Sequence, residues 1–302
     1  MKTGKTIIIL LTLSILLSGC GKKFRLERDI EYQPIVWPYS GGYDGDSNKE
    51  KSSDFSGNLN LKWSRKISGN PIGPLSIGGG KLIACTTTGR ISYFELETGR
   101  YRGKFKTKAN VQTGLTIVDS LAYFASGPVK NRFICLNLHN RKTLWFAGIK
   151  DVTGAPTIID NRIYLASDFG MVECRDRISG EIIWQDSVGA KSLAGPSFDE
   201  GIVYFPFENG RLIGFEEITG KMIINVDLKQ PLVSKVAIDE MIFISGVAGT
   251  FSALDKKTGK IIWERSFEWP IWTSPATDEN MVFVGDNGGL LRALDKNDGQ
   301  TL

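Results

Sequence analysis

The sequence predicts an all-β protein, a β-propeller built from four-stranded blades. One observation is a unit of about forty residues that occurs six times, each copy closing with an acidic or amide residue, a tight turn and often a tryptophan. The clearest copies are ALDKKTGKIIW, which ends at Trp263, and CRDRISGEIIW, which ends at Trp184. A second observation is that a copy holds four short strand patterns and no convincing helical period. A repeat of this length with four strands is typical of a propeller blade.

The sixth copy shows the order of its elements. Residues 274–277 enter a first strand, and residues 281–285 form a continuous apolar run that suits a strand covered on both faces. Residues 286–289 form a hairpin turn, because their asparagine and glycines accept positive φ. Residues 290–294 form the third strand, and residues 295–299 turn the chain towards a fourth.

Each copy places an acceptor side chain four residues before a turn position that favours glycine. The acceptor can bind N–H groups of its own turn, and glycine supplies the left-handed backbone. Arg141 is the exception at the glycine position. The acceptors are Glu95, Asn137, Asp176, Glu216, Asp255 and Asp295, and the turn glycines are Gly99, Gly180, Gly220, Gly259 and Gly299.

A tryptophan follows the turn in three copies, at Trp145, Trp184 and Trp263. Gly103 and Ile224 replace it in two others. On an outer strand such a ring can cover the seam between neighbouring blades, and the alternative is an aromatic platform for a cofactor. Recurrence favours the seam, because a cofactor needs one platform and a ring of blades needs many covered seams.

The cysteines carry no sign of a metal or redox site. Cys135 and Cys174 stand at the repeat position that holds Ala253, Ala293 and Gly214 in other copies, which indicates a small, buried strand position. The chain has no CxxC motif and a single histidine, His139. We therefore expect no metal site.

Both ends of the repeat array suggest an incomplete ring. Trp63 precedes Gly103 by forty residues, so residues 59–66 are predicted to be a lone fourth strand that closes the last blade. The pattern after Gly299 predicts another strand where the sequence stops at Leu302. We expect a fragment of a seven- or eight-bladed ring; the competing interpretation is a six-bladed ring completed by residues 59–66.

The first nineteen residues resemble a secretory signal, with a basic start and an apolar stretch from Ile7 to Leu17. This stretch is too short to span a bilayer comfortably. Leu17-Ser18-Gly19-Cys20 resembles a bacterial lipobox, which implies cleavage before Cys20 and lipidation of its thiol. Gly21 follows where an inner-membrane retention signal would place aspartate, which by resemblance implies the outer membrane.

Residues 20–58 are predicted to be a lipidated N-terminus and flexible tether, because Gly, Ser and charged residues dominate from Gly41 to Gly57. Residues 59–302 form the propeller. The formal net charge is +4, and removal of Lys2 and Lys5 with the signal leaves about +2, which does not indicate a nucleic-acid partner.

The repeats resemble the PQQ-like β-propeller family over residues 59–302, through the form ALDxxTGxxxW at Ala253–Trp263 and its variants. Together with the lipobox, they resemble the propeller lipoproteins of the machinery that folds β-barrels into the outer membrane. That resemblance implies a periplasmic scaffold, without catalytic residues or cofactor, whose inter-blade loops contact the barrel-insertase subunit. The matching loop is Lys191-Ser192-Leu193, followed by Ala194 where the family carries arginine. The next blade offers one aspartate, Asp227, where the family has two.

Two alternatives remain. A generic exported propeller would bind another partner. The quinoprotein dehydrogenases use the same repeat to bind pyrroloquinoline quinone and calcium, but their platform includes adjacent paired cysteines, which this chain lacks.

One further loop is a candidate partner contact. Glu268-Trp269-Pro270-Ile271-Trp272 joins the fifth and sixth blades with two tryptophans around a proline. Such a patch has little reason to be exposed unless a partner covers it. The competing interpretation is that Trp269, Trp272 or both fold over the mouth of the propeller.

Overall fold

The chain folds into a series of antiparallel sheets. In the computed structural model, residues 61–73, 75–78, 80–127, 131–149 and 151–302 are described. Within them there are five four-stranded sheets and one three-stranded sheet, each made of strands consecutive in sequence. This confirms the all-β propeller of four-stranded blades. The part of the chain that the structure covers contains no helix with the length and hydropathy needed to cross a bilayer.

The blades are numbered 1 to 6 in chain order. Blade 1 contains β1 (Ser76–Gly78), β2 (Lys81–Cys85), β3 (Arg90–Glu95) and β4 (Tyr101–Lys106), and blade 2 contains β5 (Thr116–Val118), β6 (Leu121–Ser126), β7 (Arg132–Asn137) and β8 (Thr143–Ala147). Blade 3 contains β9 (Thr157–Ile159), β10 (Arg162–Ala166), β11 (Met171–Asp176) and β12 (Ile182–Ser187), and blade 4 contains β13 (Ser197–Asp199), β14 (Ile202–Pro206), β15 (Arg211–Glu216) and β16 (Met222–Asp227). Blade 5 contains β17 (Ala237–Ile238), β18 (Met241–Ser245), β19 (Thr250–Asp255) and β20 (Ile261–Ser266), and blade 6 contains β21 (Ala276–Thr277), β22 (Met281–Gly285) and β23 (Leu291–Asp295).

The predicted signal peptide at 1–19, Cys20, the tether at 20–58 and residues 59–60 lie outside the described residues. Residues 61–66, the rest of the predicted closing strand, form no strand. Thr301 bridges Leu294, so residues that follow Gly299 lie at the outer edge of β23. Trp63 nevertheless takes a seam position, because its indole N–H donates to the Leu96 carbonyl of blade 1 at 2.8 Å.

The loops divide between two rims. The hairpin between the second and third strands of a blade meets the connector that enters or leaves that blade, as in the Glu208 N–H bond to the Lys191 carbonyl (2.8 Å). We call this side the connector rim. The turns between strands one and two and between strands three and four meet on the opposite side, which we call the turn rim; there Glu217 N–H bonds the Gly201 carbonyl (2.9 Å).

The predicted turn chemistry is confirmed on the turn rim. The Asp176 carboxylate accepts from the N–H groups of Ile178 (2.9 Å) and Ser179 (2.7 Å). In two blades the acceptor is the longer glutamate, which accepts from a threonine hydroxyl, as Glu95 does from Thr98 (2.6 Å). Arg141 adopts φ of 61° where the other copies place glycine in the same left-handed region.

The tryptophans cover the seams, as predicted. The indole N–H of Trp145, Trp184 and Trp263 donates to a turn carbonyl of the next blade, from Arg177 (3.2 Å), Glu217 (2.9 Å) and Lys296 (2.7 Å) respectively. Each ring also lies against the turn glycine of that next blade. Where Ile224 replaces the tryptophan, its side chain and that of Val226 approach Gly259 instead.

Blade 1 has the large residue on its third strand and the small residue on its fourth, the reverse of the other arrangement. In blades 2, 3 and 5 a small residue of the third strand pairs with the tryptophan of the fourth, as Cys174 does with Trp184. In blade 1 the pair is Tyr93 opposite Gly103, and the turn of blade 2 carries Arg141 in place of glycine. Tyr93 is buried. Its pKa is raised by burial against an opposing effect of the Arg141 charge, so the two side chains lie near each other.

The three described cysteines are free and buried, which confirms the predicted small strand position for Cys135 and Cys174. Burial raises the pKa of the Cys85 thiol to about 12 and those of Cys135 and Cys174 to about 11. The thiols are therefore protonated and unreactive at neutral pH.

Ion pairs cross the seams on the turn rim. In the described blades, a cation from the third-to-fourth-strand turn meets an aspartate of the preceding blade in the pairs Arg177–Asp119, Lys256–Asp199 and Lys296–Asp239. Between blades 3 and 4 the polarity is reversed, because Glu217 of blade 4 meets Arg162 of blade 3 at 3.3 Å.

Candidate docking rim

The connectors between blades follow one pattern on the connector rim. A buried residue is followed directly by a residue that is partly or fully exposed. The buried residues are Val111, Val152, Ser192, Leu232 and Ile271, and the residues after them are Gln112, Thr153, Leu193, Val233 and Trp272. Leu193 and Trp272, predicted from different arguments, therefore occupy the same position of the repeat.

Hydroxyl groups hold the connectors close to the centre of the ring. The first residue of an inner strand donates to a carbonyl in the connector of the next blade, as Thr116 does to Pro156 (3.0 Å) and Ser197 to Val236 (2.9 Å). Neighbouring connectors also touch directly: a Cβ at Gly195 would lie 3.0 Å from Cε of Lys235. Consecutive connectors are thus held against one another by hydrogen bonds and packing.

The predicted loop 191–193 is only partly available to a partner. Lys191 is exposed and lies 3.7 Å from Asp168, and Leu193 is 39% exposed. Ser192 is fully buried, and its hydroxyl donates to the Ala194 carbonyl at 3.0 Å. The prediction that Ser192 contacts a partner is corrected accordingly, since the side chain offers no surface. The carbonyl of Ser192 also accepts from the Thr153 hydroxyl, so this residue positions the loop.

A signal for this burial exists in the sequence. Ser192 stands in the repeat register of Val152 and Leu232, forty residues before and after it, and both are aliphatic. Comparison of the chain with itself would have placed Ser192 inside. The polar side chain is accommodated because its hydroxyl finds a carbonyl partner within its own loop.

Trp269 and Trp272 are both brought to the connector rim. Trp269 is 47% exposed and Trp272 60% exposed, so neither ring is folded away, while Ile271 between them is buried. Trp269 rests against the hairpin of blade 6, where a Cβ at Gly288 would lie 2.3 Å from Cδ1 of its indole. The Pro270 carbonyl accepts from the Asn287 N–H at 2.9 Å, which holds this connector to the same hairpin.

Leu193, Val233 and Trp272 form an apolar row across blades 4, 5 and 6, with Val233 partly buried and the other two exposed. The preceding connectors carry the polar Gln112 and Thr153 at the same position. In the sequence, Leu193 and Trp272 were singled out for different reasons and Val233 was not included, so the row was not predicted. Aligning the connectors through their buried residue reveals it.

Ion pairs also lie on this rim in blades 4 and 6. Asp227 accepts from the backbone N–H of Lys229 at 2.9 Å and pairs with its ammonium group, which lowers the Asp227 pKa. In blade 6 the Arg292 guanidinium lowers the pKa of Asp286 and lies 4.5 Å from the centre of the Phe267 ring. An apolar centre with a charged edge is the usual composition of a protein–protein contact surface.

The described residues contain no group of three His, Cys, Asp or Glu side chains that could hold a metal ion. Their turn carboxylates are occupied by backbone and hydroxyl donors, as at Asp176 and Asp255.

Comparison with known proteins places the chain in a family. The profile of the family described as "Outer membrane protein assembly factor BamB" matches residues 56–186, 168–246 and 219–302. The chain belongs to the BamB family. A BamB relative from Burkholderia pseudomallei (strain K96243) is 24% identical over 178 residues, covering 53% of this chain and 46% of the relative. The chain thus spans about half the length of that relative.

A solved structure and a second class of relative complete the comparison. BamB from Moraxella catarrhalis superimposes with a TM-score of 0.67 at 17% identity, covering 80% of this chain and 78% of that chain, which shows the shared fold. The dehydrogenase subunit of the quinone alcohol dehydrogenase of Gluconacetobacter polyoxogenes is 24% identical over 159 residues. That match covers 42% of this chain and 22% of the relative.

Proposed function

We propose that this BamB-family chain is a non-enzymatic scaffold that is lipid-anchored at the outer membrane, faces the periplasm and takes part in the assembly of outer-membrane β-barrel proteins. Its protein partner is the barrel-insertase subunit. The observation that carries the proposal is the apolar row Leu193–Val233–Trp272, which presents one side chain from each of three consecutive blades. A row of this kind suits a protein surface better than a small molecule, because it is spread over the connectors of three consecutive blades.

The composition of the row supports docking. Tryptophan is enriched among the residues that dominate binding energy, and Trp272 is 60% exposed beside the buried Ile271 that holds its backbone. Trp269 adds a second ring on the same connector. Lys191 adds a charge at the edge of the surface, where it would affect association rate more than affinity.

The location rests on the N-terminal sequence and the family. The Leu17–Cys20 lipobox implies an acylated Cys20, and Gly21 implies transfer to the outer membrane. Replacing Cys20 with serine should release the chain from the membrane fraction. An unchanged membrane fraction, or a thiol free of acyl groups by mass spectrometry, would contradict the anchor.

The docking proposal is tested by pull-down of the barrel-assembly complex with Trp272→Ala and Leu193→Ala. Each change should weaken capture by about tenfold or more, in the range of truncated hot-spot side chains. The matched control is Ile262→Ala, which removes a side chain of similar exposure beside the opposite rim and should leave capture unchanged. Thermal melts of all three variants exclude unfolding. Equal capture by Trp272→Ala and Ile262→Ala would contradict the proposal.

The alternative function is quinone binding, favoured by the relative among the quinone alcohol dehydrogenases. Its test is addition of pyrroloquinoline quinone and calcium, with the melting temperature and the absorbance of the bound chromophore as readouts. A ligand that binds the folded state stabilises it by RT ln(1 + [L]/Kd). An unchanged melt at high ligand concentration rules out tight binding.

A further inference from the structure

The outermost strand of blade 1 is unlike those of the other blades in charge. Residues 100–108 read RYRGKFKTK, which contains five cations and no acidic residue. Because the formal net charge of the whole chain is +4, the rest of the chain carries 4 − 5 = −1. Outside this strand and its two flanks, positive and negative charges therefore nearly balance.

The alternation of side chains along β4 places its cationic side chains on one face of the strand. Arg102, Lys104 and Lys106 are exposed and alternate with the buried Gly103 and Phe105. Side chains two residues apart lie on the same face of a strand, about 7 Å from each other. The strand thus presents a straight row of cations to solvent.

Few acidic groups among the described residues neutralise this row. Arg102 pairs with Glu95. Lys104, Lys106 and Lys108 are exposed, and no ion pair to them is found among the described residues. The row retains most of its charge.

Protection of a sheet edge does not explain the row. Lysines on an edge strand do prevent edge-to-edge pairing. However, the outermost strands β8, β12 and β16 are also edges and contain no lysine or arginine, and β20 contains a single cation, Arg265. A requirement shared by all outer strands would not concentrate cations on one of them.

The N-terminal segment emerges beside this strand. Trp63 stacks on Phe94 with ring centroids 6.4 Å apart, and Phe94 contacts Tyr101 of β4 at 5.8 Å. Nε of Arg65 donates to the Gly99 carbonyl at 2.7 Å, next to Arg100. The segment that leads back towards Cys20 therefore packs against blade 1, and the Phe94 ring lies between Trp63 and Tyr101 of β4.

We propose that the outer strand of blade 1, with Lys104, Lys106 and Lys108, is a docking surface for an anionic phospholipid membrane. This deepens the anchoring part of the proposed function. The predicted tether from residue 20 to 58 would span about 35 Å on average, which leaves the orientation of the propeller open. Attraction of the cationic strand to the bilayer turns blade 1 towards the membrane and leaves blades 4 to 6 with the apolar row for the protein partner.

The experiment measures binding of the mature chain, residues 20–302 with Cys20→Ser, to lipid vesicles by co-sedimentation. The serine removes the acyl chains, so the result does not depend on whether Cys20 is lipidated in the cell. We expect binding to vesicles that contain phosphatidylglycerol, no binding to pure phosphatidylcholine vesicles, and loss of binding at high salt because the Debye length shortens.

The variant Lys104→Gln/Lys106→Gln/Lys108→Gln should lose binding by on the order of a hundredfold, since each lysine near an anionic surface contributes about a fivefold factor. The matched control Lys221→Gln/Lys257→Gln/Lys260→Gln removes the same charge from exposed positions of blades 4 and 5 and should bind like the parent chain.

Equal loss in both triple variants, or no binding of the parent chain to anionic vesicles, would overturn the proposal. Tighter binding to polyglutamate than to vesicles would also overturn it and indicate an acidic protein partner. Capture of the barrel-assembly complex by the blade 1 variant should be unchanged in detergent. Failure of that capture in the parent chain would instead count against the protein-docking function alone.

Discussion

The indole ring of Trp184 lies directly on the turn glycine of the next blade, Gly220. A Cβ built on Gly220 would stand 2.6 Å from Cδ2 of the indole, closer than van der Waals contact allows. Trp63, Trp145 and Trp263 make the same approach to Gly99, Gly180 and Gly299. The glycine of the repeat is thus required twice, once by its backbone conformation and once by the ring of the preceding blade.

These two requirements can be separated by a pair of alanine substitutions. Gly220 and Gly201 both have positive φ, 71° and 81°, but Gly201 has no atom within 4 Å of a built Cβ. Gly201→Ala should lower the free energy of unfolding by about 1–2 kcal/mol through the backbone alone. Gly220→Ala should lower the free energy of unfolding by a further amount of about 1–3 kcal/mol, because the added methyl group would clash with the indole ring. Equal melting temperatures would contradict the seam contact.

Blade 1 offers a compensated exchange. Gly103→Trp alone should destabilise the chain by about 1–3 kcal/mol, because Tyr93 already fills that space. The triple variant Tyr93→Ala/Gly103→Trp/Arg141→Gly recreates the arrangement of blades 3 and 5, so it should recover most of the loss. Chemical denaturation of the single, double and triple variants gives the coupling energy. Purely additive effects would show that the three positions are independent.

The ion pair between Lys296 and Asp239 is buried, with each side chain 8% exposed. Asp239→Asn would leave the ammonium group without its carboxylate, and we expect a loss of about 3–5 kcal/mol in the free energy of unfolding. The control is Glu97→Gln, which breaks the exposed pair with Lys62 and should change stability little. The prediction fails when both variants melt alike.

Stability should fall in acid partly through the turn aspartates. The Thr258 hydroxyl and the turn N–H groups lower the pKa of Asp255 below its ordinary value of 3.8. A lowered folded-state pKa gives stability above the unfolded value, and this is lost as the pH falls through the folded one. Asp255→Asn should therefore flatten the decline of the melting temperature below about pH 4. The side chain of Asn137 accepts hydrogen bonds from the N–H groups of His139 and Asn140, so an amide can replace the carboxylate in this turn. An unchanged dependence of the melting temperature on pH below about pH 4 would contradict the prediction.

The buried thiols report on unfolding. With pKa values raised to about 11–12, Cys85, Cys135 and Cys174 should not react with a maleimide in the folded Cys20→Ser chain at pH 8. Reaction should begin only with unfolding in denaturant, and its rate should follow the loss of strand signal in circular dichroism. Rapid labelling of any of the three in the native chain would contradict their burial.

The sequence predicts local features well, because they repeat at one register. The acceptor at Asp176, the turn at Gly180 and the seam ring of Trp184 all follow from comparing copies. Ser192 could have been placed inside by the same comparison, but similarity to a family loop suggested a surface role instead. A feature that recurs within the chain is better predicted from the chain itself.

Contacts between blades are harder to predict. Lys256 and Asp199 are 57 residues apart, and nothing in either turn alone indicates the other. Likewise, the exposure of Trp269 and Trp272 depends on whether the hairpin of blade 6 leaves space above them, which a sequence pattern does not contain. The strand expected at residues 59–66 could likewise not be predicted locally, because its pairing depends on the edge of a blade that is distant in sequence.

The reversed pair Arg162–Glu217 has a consequence for the order of the blades. If blade 3 were skipped during folding, Asp119 of blade 2 would meet Glu217 of blade 4, and two like charges would lie together. Repeat proteins are prone to misassembly between neighbouring units, and this inversion therefore disfavours a ring in which blade 3 is left out.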